Sequence, residues 1–218
     1  MAISSNVKAL LNEIPVGVRL VAAVKGRTVP EVLEAIEAGI TTIGENYLQE
    51  ARDHFFSIGN RVSWHCIGSL QKNKTRTAAE IFDMVETIDS IGLASSLNRH
   101  ACRNGKVMEI LIEINSGQEP QKSGVRPEEA EALLQNISLF ENMRVVGLMT
   151  MGPRFGDPED SRPFFVLTRR LFEHLGGLNI PNVLMKYLSM GMTNTYRIAI
   201  QEGANIVRIG NKIFGEGS

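Results

Sequence analysis

Cysteine is scarce in this chain: two occur in 218 residues, Cys66 and Cys102, with neither a CxxC nor a metal-ligand spacing. That excludes a disulfide scaffold and gives no zinc signature, so free thiols in a reducing compartment, the cytoplasm, are expected. Charge of one sign is also lacking. Lys and Arg number 23 against 24 Asp and Glu, a formal net charge of -1, so no global attraction to nucleic acid or to an anionic membrane is expected. No apolar run is long enough to span a bilayer. The opening "MAISSNVKALLNEI" has no charged leader before an unbroken apolar core. It reads as an amphipathic helix with Val7, Leu10, Leu11 and Ile14 on one face. Neither a low-complexity linker nor an internal repeat breaks the chain, so one domain over residues 1–218 is expected.

What is present is an alternation. Short apolar runs, "RLVAAV", "TTIG", "SWHCIG", "DMVETI", "MEILIEI", "MRVVGL", "VLMKYLS" and "NIVRIG", are separated by segments of helical period such as "VPEVLEAIEAG" and "RPEEAEALLQNI". Both of these open on proline, and the first closes on Gly39. Strict β-α alternation with near-continuous apolar strands predicts a parallel sheet covered on both faces. Eight units predict a closed (β/α)8 TIM-type barrel with an N-terminal helix. An open doubly wound sheet is the competing architecture, because the chain is short for a barrel.

In such a barrel chemistry sits where the strands end. Lys25 follows the first run directly. A strand-end lysine ordinarily lays its stem on apolar surface and its ammonium in water; in an apolar setting it instead loses charge and becomes an amine able to attack a carbonyl. A partner for that chemistry stands near the end of the chain. "LSMGMTN" offers Ser189, Gly191, Met192 and Thr193 before a helix start, and "VRIG" offers Arg208 and Gly210 after the last run, which together would make an anion site. Taken singly, "LSMGMT" is a glycine turn with an N-cap; joined to a lysine on the neighbouring strand of a closed barrel, it predicts a phosphorylated aldehyde as ligand. His65 reads as a satisfied core or barrel-end histidine, and "QKNKTR" as a solvated helix start.

"VAAVKGR", "GENYLQEA", "WHCIGSLQKNK", "KSG", "LSMGMTN" and "VRIGNKIFG" stand in the order and spacing of the YggS/PROSC family of pyridoxal phosphate homeostasis proteins, and the resemblance runs from about Val21 to Gly215. It implies an alanine racemase N-terminal-domain-like barrel holding pyridoxal 5'-phosphate (PLP) as a Schiff base on Lys25. The "LSMGMT" and "VRIG" segments would hold the phosphate and Asn46 would line the ring. The chain departs from the family at Val24 and Gly26, which flank the lysine, at Thr193, where serine is usual, and at Thr195, where an acidic residue is common. A carrier with no catalytic residues, passing PLP to apo PLP-dependent enzymes, is expected, and a monomer. The alternatives are a PLP-dependent amino-acid racemase or decarboxylase, and a Schiff-base aldolase. In racemases resembling this barrel a second, β-rich domain supplies the opposing acid-base group, and nothing in this sequence marks a substitute.

Overall fold

The computed structural model describes residues 2–119, 122–153 and 156–215. Strands β1 (Arg19–Ala23), β2 (Thr42–Glu45), β3 (Ser63–Cys66), β4 (Met84–Ile88), β5 (Met108–Ile114), β6 (Met143–Thr150), β7 (Val183–Ser189) and β8 (Ile206–Ile209) follow one another around a closed barrel, and the open-sheet alternative falls away. Every pairing is parallel, and β1 closes on β8 with Leu20 opposite Val207 and Ala22 opposite Ile209. β1 and β8 are therefore wall neighbours, and the loops that follow them share one rim.

Helices α1 (Ile3–Glu13), α2 (Val29–Glu37), α3 (Leu48–Ile58), α4 (Thr75–Ile81), α5 (Ile91–Arg103), α6 (Ala130–Ile137), α7 (Arg162–Gly177), α8 (Tyr196–Gln201) and α9 (Asn211–Phe214) cover the outside. α2 starts where Thr28 and Glu31 form a capping box and Pro30 presets the first turn. The "RPEEAEALLQNI" segment spends its proline on a single 3-10 turn, Pro127–Glu129, before α6 begins. None of these helices is long and apolar enough to cross a membrane among the described residues.

One face of each strand feeds a single large core under the helices. There Trp64 is buried with its ring edge against Phe55 at 5.3 Å and its Nε1 donating to the Gly59 carbonyl at 2.9 Å. The other faces fill the barrel, with Met84, Leu111, Val146 and Met149 in one cluster and Val21, Ile67 and Ile206 in another. The interior is thus a packed floor rather than a channel.

α1 packs by Val7 and Leu10, as its period predicts, while Leu11 stays partly exposed. Its last residue, Glu13, ties it to the far end of the chain: Arg197 donates to Glu13 at 2.6 Å, Tyr196 donates to the same carboxylate, and Lys212 reaches it at 3.2 Å. These hydrogen bonds, from Arg197 first, lower the Glu13 carboxyl to about 2. A depressed carboxylate stabilises the fold above its unfolded value, and that contribution is lost as pH falls toward 2. Glu13→Gln is therefore expected to lower the melting temperature slightly at neutral pH, with the gap from wild type closing as a thermal scan series is taken below the ordinary glutamate range. A gap independent of pH would show that packing, not charge, makes this contact.

Candidate functional site

The rim begins at Lys25, two residues beyond the last residue of β1. Buried Val24 donates its amide to the Gly44 carbonyl at 3.1 Å, continuing the β1–β2 ladder, and the chain then turns, with the Arg27 amide closing on the Val24 carbonyl at 3.0 Å. Gly26 occupies this turn at φ +67, a left-handed conformation that favours glycine. The turn lifts the Lys25 side chain clear of the core. It is exposed, and its Nζ lies 5.2 Å from the centroid of the Tyr47 ring. Asn46 is half-buried beside Tyr47, after β2.

Across the rim, β7 gives way to Met190 and Gly191. Gly191 takes φ +89, and a Cβ there would stand 2.6 Å from the Ala199 Cβ and 2.8 Å from the Tyr196 Cα, so glycine is required by conformation and by packing alike. Its carbonyl accepts from Arg208 N at 3.0 Å, which welds the loop to β8. Thr195 accepts the Met192 amide on Oγ1 at 3.1 Å, a bond that ties the loop back on itself ahead of α8. Met192 is exposed and Thr193 half-buried. Among the described residues the amides of Thr193 and Asn194 have no hydrogen-bond acceptor, leaving two donors at the rim. Gly210 follows β8 and lies against β1: a Cβ there would come within 3.0 Å of the Ala23 carbonyl oxygen.

Ser189 and Arg208 sit deeper than expected. Both are buried, Ser189 fully. The Ser189 hydroxyl donates to Glu86 Oε2 at 2.6 Å and accepts from Arg208 Nη1, while Arg208 Nη2 donates to the Thr150 carbonyl at 3.0 Å. Arg208 Nη1 also lies 3.8 Å from Glu86 Oε2, and His65 Nδ1 meets Glu86 Oε1 at 2.6 Å. The resulting chain, His65 to Glu86 to Ser189 to Arg208, joins β3, β4, β7 and β8 across the barrel. Burial pushes the Glu86 carboxyl up, but the His65 hydrogen bond and the charges of His65 and Arg208 outweigh it and hold the group below its ordinary range. Arg208 and Ser189 are thus hydrogen-bonded into the floor, beneath the loops that carry Lys25, Asn46 and Thr193.

The structure therefore brings Lys25, Gly191, Met192, Thr193 and Gly210 to one rim, with Asn46 beside Tyr47, and puts Ser189 and Arg208 beneath. Sequence reasoning missed Glu86 and Glu113. Glu113 shares a strand face with Leu111, two residues apart, and is buried at the end of β5. Burial first, then the nearby Asp89, pushes its carboxyl up to about 7. The signal was present: a glutamate inside an otherwise apolar run, "DMVETI" and "MEILIEI", has to be accommodated by some partner or by protonation.

Gly191 and Gly210 allow close backbone approach on the loops after β7 and β8, and among the described residues the Thr193 and Asn194 amides have no acceptor, features that anion binding uses. Fold and rim together define a class of protein, the barrel described as "Alanine racemase, N-terminal domain", whose family model matches residues 1–217. The chain belongs, within it, to the family of pyridoxal phosphate homeostasis proteins. It is 38% identical over 201 residues to the pyridoxal phosphate homeostasis protein of Haemophilus influenzae, covering 91% of this chain and 84% of that one. To the protein of the same description from Aquifex aeolicus it is 38% identical over 189 residues, covering 86% and 82%. PipY of Synechococcus elongatus, solved with PLP bound, superposes with a TM-score of 0.91 at 30% identity, over 98% of this chain and 100% of that one. An alanine racemase from Clostridium difficile superposes with a TM-score of 0.83 at 13% identity, with this chain covering 56% of it, a likeness of fold.

Proposed function

We propose that this protein binds PLP at the rim and serves intracellular PLP homeostasis as a cytoplasmic, monomeric carrier, passing the cofactor to apo-enzymes rather than turning over substrate. The observation that carries the reading is the placement of an accessible lysine, Lys25, on the strand that neighbours the glycine-bounded loops after β7 and β8. When bound, PLP supplies an electrophilic aldehyde and a conjugated ring. Lys25 would hold the aldehyde carbon through Nζ. The Thr193 and Asn194 amides, the Thr193 hydroxyl and the close approaches at Gly191, Met192 and Gly210 would take the phosphate, and Asn46 would line the ring. Ser189 and Arg208, locked to Glu86, would form the floor under it and keep it from sinking into the barrel.

The exposure of Lys25 supports carriage over catalysis. Stabilising a carbanion requires ordered dipoles in a water-poor site, whereas an exposed lysine on an open rim lets cofactor enter and leave. Two measurements test the reading. Borohydride treatment of the PLP-loaded protein should add the mass of the reduced cofactor to the peptide containing Lys25, and Lys25→Ala should fold yet lack the visible absorbance band. A band that persists in that variant would place the attachment elsewhere. The loaded protein incubated with L-amino acids in heavy water should show α-deuterium incorporation and decarboxylation no faster than free PLP, and turnover well above it that depends on Lys25 would move the chain among the catalysts.

A further inference from the structure

The turn that carries Lys25 is gripped from one side by α3 and β2. Glu50 and His54, four residues apart on one face of α3, both reach it. Glu50 Oε2 accepts the Gly26 amide at 2.9 Å, and His54 Nε2 meets the Arg27 carbonyl oxygen at 2.9 Å. Behind His54, its Nδ1 lies 2.6 Å from Glu45 Oε1. His54 is 4% exposed and Glu45 fully buried. The two backbone groups held are those of the residues that immediately follow Lys25, so α3 fixes the direction in which that side chain leaves the rim.

A carbonyl oxygen can only accept, so His54 Nε2 carries a hydrogen. The other ring nitrogen faces a carboxyl oxygen at hydrogen-bond distance, and either a protonated Nδ1 or a protonated Glu45 must fill that gap. One proton is therefore shared between the two side chains, whichever holds it formally. Burial lifts the Glu45 carboxyl, and the bond to Glu45 lifts His54, so both groups favour keeping this proton. The other titratable groups facing it are Glu50 on α3, the Cys66 thiol on β3, which burial pushes up to about 12, and Arg27, whose guanidinium is directed to the carbonyls of Phe214 and Gly215 and to Glu31. None of them can replace the shared proton. If it leaves, the ring has one hydrogen for two acceptors, and either Glu45 or the Arg27 carbonyl loses its bond.

We propose that His54, oriented by Glu45, is a positioning residue for Lys25, holding the Lys25–Arg27 turn so that the amine meets the incoming aldehyde in a fixed direction. The inference rests on the proposed role of Lys25, but its structural half concerns the cofactor-free protein alone. His54→Ala removes the bond to Arg27, and Glu45→Gln keeps it: a side-chain amide donates to Nδ1 and leaves a neutral ring with its hydrogen on Nε2.

The experiment is amide hydrogen exchange over residues 22–29 of the cofactor-free protein, paired with stopped-flow capture of PLP followed by the visible band. In His54→Ala the turn should exchange about tenfold faster and capture PLP about tenfold more slowly, the worth of one buried hydrogen bond. Glu45→Gln should show near wild-type exchange and capture, with any pH dependence of capture attributable to this pair removed. Wild-type exchange in the alanine variant, or equal loss in both variants, would overturn the proposal. If wild type captures no PLP, the functional reading fails while the exchange comparison still decides the positioning role. Should the alanine variant not fold, wild type serves: protection of the turn must fall at the same pH at which the His54 ring nitrogen shifts change, and separate transitions overturn the proposal.

Discussion

Glu86→Ala is expected to destabilise the fold by about 3–5 kcal/mol, because it removes the carboxylate 3.8 Å from the buried Arg208 guanidinium and leaves that charge only the attraction of Glu113. That is a large share of the roughly 5–15 kcal/mol that holds a domain together. The residues around it explain the size of the effect. Arg208 keeps the Thr150 carbonyl and the Ser189 hydroxyl as acceptors, but its nearer balancing charge is gone, and His65 loses the acceptor of its Nδ1. Urea unfolding monitored by circular dichroism measures the loss. Glu86→Ala combined with Arg208→Met should recover much of it, since removing both charges from a buried pair is far cheaper than removing one. The pH dependence follows from the depressed Glu86 carboxyl: its stabilisation is present above the ordinary glutamate value and is lost as pH falls through the lower folded value. A loss below about 1 kcal/mol in the single variant, the scale of an exposed pair, would mean that water reaches the floor and screens Arg208.

The architecture was legible because a parallel barrel writes itself into sequence as continuous apolar runs. All eight runs became strands, with ends within two residues of those observed, since a strand covered on both faces cannot tolerate polar residues except for cause. The same property hid the floor. Where both faces are apolar, period-two alternation no longer tells inside from outside, so Ser189 and Arg208 looked like rim residues although their strands turn them inward. Lys25 was legible as a position, while its environment was left open. A buried strand implies buried neighbours, but one left-handed glycine, Gly26, turns the chain outward just past the lysine. His54 was invisible for a different reason. A histidine on an amphipathic helix resembles any half-polar helical residue, and only the fold reveals that it and Glu50 converge on the lysine turn from 24 or more residues away.

Gly191→Ala is expected to weaken PLP binding by about ten- to a hundredfold, the equivalent of the roughly 1–3 kcal/mol that a strained backbone residue stores. An alanine at φ +89 is conformationally strained, and its methyl would stand 2.6 Å from the Ala199 Cβ, so the loop between β7 and α8 must relax away from its present path. Relaxation spares the fold most of the cost, because the loop lies at the rim and α8 is short. Binding then bears that cost, since Thr193 and Asn194 must be brought back before their amides converge on a phosphate. The effect should therefore depend on the phosphate. Pyridoxal, which keeps the aldehyde and lacks the phosphate, should bind the variant and wild type with nearly equal affinity, whereas PLP should distinguish them. Equilibrium titration of both ligands, read from the visible band, gives the comparison directly. Equal losses for PLP and pyridoxal would remove the phosphate from the β7–α8 loop, and an unchanged PLP affinity would show that the loop reaches its bound path without Gly191.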